Sequence, residues 1–280
     1  MAIRAAIRRL TGRRAHLRHG YRVLIRSTSE SLPFGGSIVE ASVVALHNGR
    51  RFRARAFADR VFIIDEMVLG GQYLGELHRL REQIEARATD GMLHVIDAGA
   101  NVGLFSLFAS TVLRPQLRID GFEPFEENRV LCDRNWRKRG YRVHGRALSN
   151  EDDVEARLFL RSSTGATIMS GERRPDGVSS VSALTARLDT MWPQLGARRV
   201  DLIKLDIEGA EEDALGGALE TIEHYQPFIL CSYEHDGNDP SRIAELATRA
   251  VPDYVIHDDA ARRLLTFEPN DPVLDKVVHG

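Results

Sequence analysis

From residue 92 onward the chain alternates short apolar runs with stretches of helical spacing, and few folds satisfy that alternation. LHVIDAG, LRIDGFEP, YRVHGRALS, VDLIKLDIEG and PFILCSYEH read as strands. NVGLFSLFASTVL, PFEENRVLCDRNWRKRG, AEEDALGGALETIEHY and SRIAELATRA repeat apolar residues every three or four positions, the period of a helix with one buried face. DYVIHDD and RRLLTFEP resemble a closing antiparallel pair. The series predicts an α/β fold, a doubly wound and mainly parallel sheet with helices on both faces. Ligands of such sheets sit beyond the carboxyl ends of the strands, so functional residues are sought there.

The first 90 residues follow a different pattern. SIVEASVVALHNGRRFRARAF reads as two strands joined at Asn48-Gly49, a dipeptide that accepts positive φ, and RVFIIDEMV as a third. GGQYLGELHRLREQIEARA reads as one helix through Tyr73, Leu74, Leu77, Leu80 and Ile84. A small β-rich appendage, residues 1–90, is therefore expected before an α/β domain of residues 91–280. The opening MAIRAAIRRLTGRRAHLRHGYRVLIR carries no acid, and none occurs before Glu30. It reads as a solvated basic helix packed on the domain or over its cleft. A transit peptide and a helix lying on an anionic membrane are the alternatives.

Composition narrows the class further. The formal net charge of −2 argues against a dedicated nucleic-acid binder. No apolar run reaches the roughly 18–20 residues that span a bilayer. Cys132 and Cys231 are far apart and lack a CxxC neighbour, so they fit a reducing cytoplasm and read as inert core thiols.

The most informative stretch is Val95-Ile96-Asp97-Ala98-Gly99-Ala100-Asn101-Val102-Gly103, at the end of the first strand of the alternating part. Glycines at 99 and 103 permit a tight strand-to-helix turn with backbone open to a ligand. A dinucleotide site would place a bare glycine where Asn101 stands. Asp97, two residues before the first glycine, would repel a pyrophosphate but accept from an ammonium group. The pattern suits a nucleoside cofactor with an amino-acid end, S-adenosylmethionine. Glu123 ends the second strand, twenty residues beyond Gly103, where an acid accepts both ribose hydroxyls. Phe125 is placed either against the adenine or in the core.

With these residues the chain resembles the FkbM family of S-adenosylmethionine-dependent methyltransferases. The matching segments are VIDAGANVGLFS (95–106), GFEPFEEN (121–128), Asn135, ALSNEDD (147–153), RLDTM (187–191), IKLDIEGAE (203–211) and PFILCSYEH (227–235). The resemblance implies a class I methyltransferase (Rossmann-like) fold with a seven-stranded sheet whose last strand is antiparallel. It adds Ala147 and Leu148 to the cofactor contacts, beside Asp97, Gly99, Ala100, Asn101, Gly103, Glu123 and Phe125. It also implies O-methylation of a small hydroxylated acceptor: a sugar, a glycoside or a polyketide metabolite. The segment before residue 90 matches nothing in that pattern, which leaves it free to carry substrate or oligomer contacts.

A sugar hydroxyl is weakly acidic, so methyl transfer to it needs a base or a metal near the acceptor. Asp206 ends the fourth strand and is followed by Glu208 and Gly209, while Glu234 and His235 end the fifth. Adjacent strand tips lie about 5 Å apart. Two mechanisms stay open. Asp206 and Glu234, with Glu208, hold Mg²⁺, which acidifies the hydroxyl; or His235 or Asp206 acts as a general base without metal. Glu211 reads as an acid that complements a helix dipole, and Asp189 as the N-cap of its own helix. Lys204 is expected to pair with a carboxylate or snorkel out, and His94 and His144 to be packed structural residues. The stretch 162–177 reads either as a lid or as a surface loop. A non-catalytic cofactor-binding module and an NAD-dependent oxidoreductase are the competing functions.

Overall fold

The computed structural model describes residues 16–18, 21–31, 37–57, 73–136, 140–162, 165–168, 180–196, 198–233 and 238–270. Strands β1 (His16–Arg18), β2 (Tyr21–Ser31), β3 (Ser37–Ala45) and β4 (Arg51–Phe57) form an antiparallel sheet in sequence order. Extended chain thus replaces the basic helix expected over the latter part of the opening stretch. Tyr21, Val23 and Ile25 alternate along β2 and are all buried, a period of two that Arg22 and the apolar Leu24 between them disguise. Residues 1–15 and the expected strand RVFIIDEMV lie outside the described residues. Asn48-Gly49 makes the turn between β3 and β4, with Gly49 at φ +70.

The helix expected after residue 72 is two short ones, α1 (Leu74–Arg79) and α2 (Arg81–Ala86). The chain bends at Leu80, with φ −87 and ψ −1, and Leu77, Leu80 and Ile84 on either side of the bend are fully buried.

Next come β5 (Met92–Ala98), α3 (Leu104–Val112), β6 (Gln116–Phe122), α4 (Glu126–Trp136), β7 (Tyr141–His144) and β8 (Ala147–Leu148). β9 (Glu155–Ser162), β10 (Gly165–Ile168), β11 (Ser180–Ala186) and α5 (Leu188–Leu195) follow. The chain ends with β12 (Leu202–Leu205), α6 (Glu211–Gly216), α7 (Leu219–Tyr225), β13 (Phe228–Ser232), α8 (Pro240–Ala250), β14 (Val255–Asp259) and β15 (Leu264–Glu268).

Seven strands form the central sheet in the order β14-β15-β13-β12-β5-β6-β7. β13, β12, β5, β6 and β7 pair in parallel, and β15 is antiparallel to both its neighbours. This is the strand order of the class I methyltransferase sheet, as expected. From β5 the chain winds outward through β6 and β7, then returns to the other side of β5 through β12 and β13. The switch in direction therefore falls between β5 and β12, with Asp97 beside Lys204 and Ala98 beside Leu205. In sheets of this kind the ligand crevice lies outside the carboxyl ends of the strands at such a switch point.

Each face of the sheet buries its own apolar cluster. One joins Val95 and Leu230 to Phe105 and Phe108 of α3 and to Tyr21, Val43 and Phe52 of the N-terminal sheet. The other joins Ile96, Ile203 and Phe267 to Trp192, Ile222 and Ile243 on the helices opposite. At about 1.5–3 kcal/mol per fully buried large apolar side chain, both faces are held mainly by this burial. The N-terminal sheet thus packs into the same core as α3. Cys132 and Cys231 lie fully buried in these two clusters, and burial pushes both thiols well above their usual range.

Two expected elements are interrupted by tertiary contacts. YRVHGRALS divides into β7, in the central sheet, and β8, which pairs in parallel with β11 in a second sheet of order β10-β9-β11-β8. AEEDALGGALETIEHY divides into α6 and α7 at Gly216-Gly217. A side chain on Gly217 would start 1.9 Å from the Ser149 carbonyl, so glycine lets the strand-following loop cross the helix there. Of the stretch 162–177, only β10 and the end of β9 are described. Among the described residues no helix is long and apolar enough to cross a membrane.

Candidate active site

The turn after β5 is built by hydrogen bonding to the neighbouring strand. The amides of Gly99 and Ala100 both donate to the Phe122 carbonyl at 3.0 Å, and three residues run at positive φ: Gly99 (+71), Asn101 (+49) and Gly103 (+79). Gly99 serves a purpose the pattern alone does not reveal. A Cβ there would lie 1.8 Å from the Asp206 carbonyl oxygen, so the bare glycine lets the end of β12 close against the turn. Gly103 caps α3, and its carbonyl accepts from the indole of Trp136 at 3.1 Å. Asn135 donates to the Val102 carbonyl at 2.7 Å and to the Arg55 carbonyl at 3.0 Å, tying the turn to β4 of the N-terminal sheet.

Beneath the turn sits a buried ion pair. Lys204, 3% exposed, donates to the Ala98 and Gly99 carbonyls at 3.0 and 2.9 Å. Its Nζ lies 3.5 Å from Oδ1 of Asp97 and 3.8 Å from Oδ2 of Asp206. Lys204 therefore pairs with carboxylates, the first of the two expected alternatives. Asp97 is fully buried, and its Oδ2 accepts from the Ser106 hydroxyl at 2.6 Å. Burial raises the Asp97 carboxyl, while Lys204 and Ser106 act in the opposite direction.

Glu123 stands at the end of β6, 4% exposed. Its two oxygens accept from the amides of Asn101 and Phe125, each at 2.8 Å, and Asn128 supplies a side-chain donor. Burial outweighs these donors and pushes the carboxyl up to about 7. Phe125 is half-buried beside it, and Ala100, Ala147 and Leu148 are buried.

At the β12 tip Asp206 remains 29% exposed, and its amide donates to Ala98 at 3.3 Å. The loop beyond it makes a sharp exit, with Glu208 at φ +60 and Gly209 at +106. Glu211 does more than complement the α6 dipole. Fully buried, it turns back to accept from the amides of Ile207 and Gly209 at 2.8 and 3.0 Å, and from Asn238 at 2.6 Å. The spacing of Asp206, Gly209 and Glu211 is therefore that of a carboxylate bracing its own loop. Glu234 and His235 lie outside the described residues. Among the described residues no three His, Cys, Asp or Glu side chains are grouped to hold a metal ion.

His94 and His144 both hydrogen-bond to Asp120 at 2.8 Å, with Arg142 alongside, and have the structural role expected of them. Together these donors outweigh the burial of Asp120 and hold its carboxyl far below the usual range. Asp189 caps a helix other than its own: it accepts from Thr221 and Glu220, at 2.8 and 3.3 Å, at the start of α7.

Two buried acceptors at the turn, Oδ1 of Asp97 and Oδ1 of Asn101, close no hydrogen bond, although the first is the atom that the Lys204 ammonium approaches to 3.5 Å. Orphaned buried acceptors are rare. A pair of them fits the donor chemistry of an ammonium group and opposes that of a phosphate.

Residues 97–270, more than half of the chain, match the family model of the methyltransferase FkbM domain. A curated relative, Methyltransferase 1 of Beauveria bassiana (strain ARSEF 2860), is 29% identical over 143 residues, covering 44% of this chain and 57% of that protein. The chain thus spans little more than half the length of that relative. The structure of a methyltransferase FkbM from Methylobacillus flagellatus KT aligns with a TM-score of 0.45 at 22% identity, over 64% of this chain and 44% of that one. Aeropyrum pernix fibrillarin, solved with S-adenosyl-L-methionine bound, aligns with a TM-score of 0.43 at 13% identity, over 90% of this chain and 95% of that one. With the sheet order, the turn and the family match on the same residues, the chain belongs to the FkbM methyltransferase domain family.

Proposed function

We propose that the chain is an S-adenosylmethionine-dependent O-methyltransferase acting on a hydroxyl of a sugar, glycoside or polyketide metabolite. The observation that carries this reading is the pair of buried acceptors on Asp97 and Asn101 that close no hydrogen bond, the first held only by the Lys204 ion pair, with Glu123 behind the turn and Asp206 open at the adjacent strand tip. In this reading Asp97 and Asn101 take the cofactor's ammonium group, Glu123 takes the ribose hydroxyls, and Phe125, Ala147 and Leu148 border the adenine. Residues 91–280 form the methyltransferase domain and residues 1–90 its appendage.

Bound S-adenosylmethionine supplies a methyl group on a sulfonium, ready for in-line displacement. Asp206 would orient the acceptor hydroxyl and take the proton it gives up on methylation, the cofactor leaving as its demethylated thioether. Its exposure gives the proton a route to solvent. The case for Mg²⁺ rests on Asp206, Glu234 and Glu208 needing a cation between them, and Lys204 already places one 3.8 Å from Asp206. That contact supports the metal-independent reading.

The test is incubation with methyl-labelled S-adenosylmethionine and a panel of hydroxylated glycosides and polyketides, with and without EDTA. Label in the acceptor at a rate that EDTA leaves unchanged is expected. Activity lost to EDTA and restored by Mg²⁺ would establish the metal mechanism instead. Tight S-adenosylhomocysteine binding with no acceptor methylated by the panel would favour the non-catalytic module.

Glu123 sets the pH dependence of cofactor binding. The ribose hydroxyls require the ionised carboxylate, and the ligand-free protein holds a proton there below about 7. Binding must then release that proton. S-adenosylhomocysteine affinity is expected to fall with acidification below that value, by up to about tenfold per pH unit, and to level off above it. Folding stability runs the other way. A carboxyl raised in the folded state favours folding at low pH, and that advantage is lost as pH rises from the unfolded value toward about 7. Calorimetric titrations from about pH 5.5 to about 8.5, which bracket the shifted carboxyl, read the first effect, and Glu123→Gln should flatten it.

A further inference from the structure

We propose that Tyr73 is a positioning residue whose hydroxyl aims the Asp206 carboxylate at the reacting methyl group. The inference rests on Asp206 being the proton acceptor. Tyr73 immediately precedes α1, distant in sequence from every element that carries the turn, yet its side chain reaches the tips of β12 and β13. It is 2% exposed, and its hydroxyl faces the Asp206 carboxylate and the Ser232 hydroxyl without closing a hydrogen bond of normal geometry to either.

The ring is held from two sides. Phe105 of α3 meets it edge-on at 5.5 Å, and the Lys204 ammonium lies 5.9 Å from its centroid. Phenylalanine would fill this space equally well and would avoid burying an unsatisfied hydroxyl, which costs free energy. A hydroxyl kept at such a place, with its ring fixed and a carboxylate in front of it, points to a role for the oxygen. Donated to Asp206, it fixes one carboxylate rotamer and leaves the second oxygen for the acceptor proton.

The test compares S-adenosylhomocysteine with sinefungin, an analogue that carries an ammonium group at the place of the transferring methyl. An aimed Asp206 prefers sinefungin. Calorimetry on Tyr73→Phe should show that preference falling about five- to tenfold, the scale of one lost hydrogen bond, with S-adenosylhomocysteine affinity unchanged and the melting temperature no lower than wild type. With an acceptor in hand, kcat should fall and KM hold. A Tyr73→Phe preference equal to wild type overturns the proposal, and so does a parallel loss of both ligands, which would mark plain packing. Asp206→Asn separates the two readings. If it removes the preference while Tyr73→Phe does not, Asp206 keeps its role and Tyr73 has none. If wild type shows no preference, the role of Asp206 fails and that of Tyr73 with it.

Discussion

Replacing Asp206 with Asn is expected to lower kcat for methyl transfer by about 10²–10⁴, the usual contribution of a positioned base, while S-adenosylhomocysteine binds as before. The substitution keeps shape and removes charge and basicity, so it isolates proton transfer from packing. The turn should survive it, because Lys204 retains Asp97 and the carbonyls of Ala98 and Gly99 as partners. The β12 end should also survive, since it is anchored through main chain: the Asp206 amide on Ala98, and the amides of Ile207 and Gly209 on Glu211. Initial rates with labelled S-adenosylmethionine and calorimetry with its demethylated product read the two quantities separately. A fall in kcat and kcat/KM by the same factor marks an interaction made only in the transition state. Turnover near the wild-type value would remove Asp206 from the chemistry and leave the end of β13 as the source of a base.

How far the site can be read from the chain depends on whether each contact is local. Asp97, the two glycines and Glu123 are legible because strand-turn-helix geometry within a few residues dictates their spacing, and the sheet places them where that spacing requires. The strand β2 is hidden because the apolar Leu24 breaks the alternation of Tyr21, Val23 and Ile25, and the arginine-rich start of the chain reads more loudly than a period of two. The break between α6 and α7 depends on the Ser149 carbonyl, brought in by a loop far away in sequence. Tyr73 reads as one more apolar position on a helix, because its partners lie on β12 and β13. For Lys204 the pattern leaves pairing and snorkelling both open, because its counter-ion belongs to the neighbouring strand. Local chemistry is written in the pattern, whereas charge pairs across strands become visible only once the register is known.

Lys204→Met offers the largest expected loss of stability. The ion pair with Asp97 is fully buried, and removing one member of such a pair costs about 3–5 kcal/mol, because the remaining charge keeps its desolvation penalty without compensation. Asp97 already titrates above its usual range in the wild type, with Lys204 restraining it. Without Lys204 its carboxyl must rise further. A raised carboxyl favours folding below the unfolded value, and that contribution disappears as pH climbs from there to the folded value. The stability gap between Lys204→Met and wild type should therefore widen with pH, which urea denaturation at about pH 5 and about pH 8 can measure. Adding Asp97→Asn removes the stranded charge and should recover part of the loss, leaving the Ala98 and Gly99 carbonyls without their donor. Cofactor binding should not recover with it, since a neutral amide at that position could no longer offer a charged acceptor to an ammonium group. A double variant that regains stability but not S-adenosylhomocysteine affinity separates the two duties of Asp97, support of the turn and capture of the ligand. A gap independent of pH, with the double variant no more stable than Lys204→Met, would mean that the pair does not support the turn.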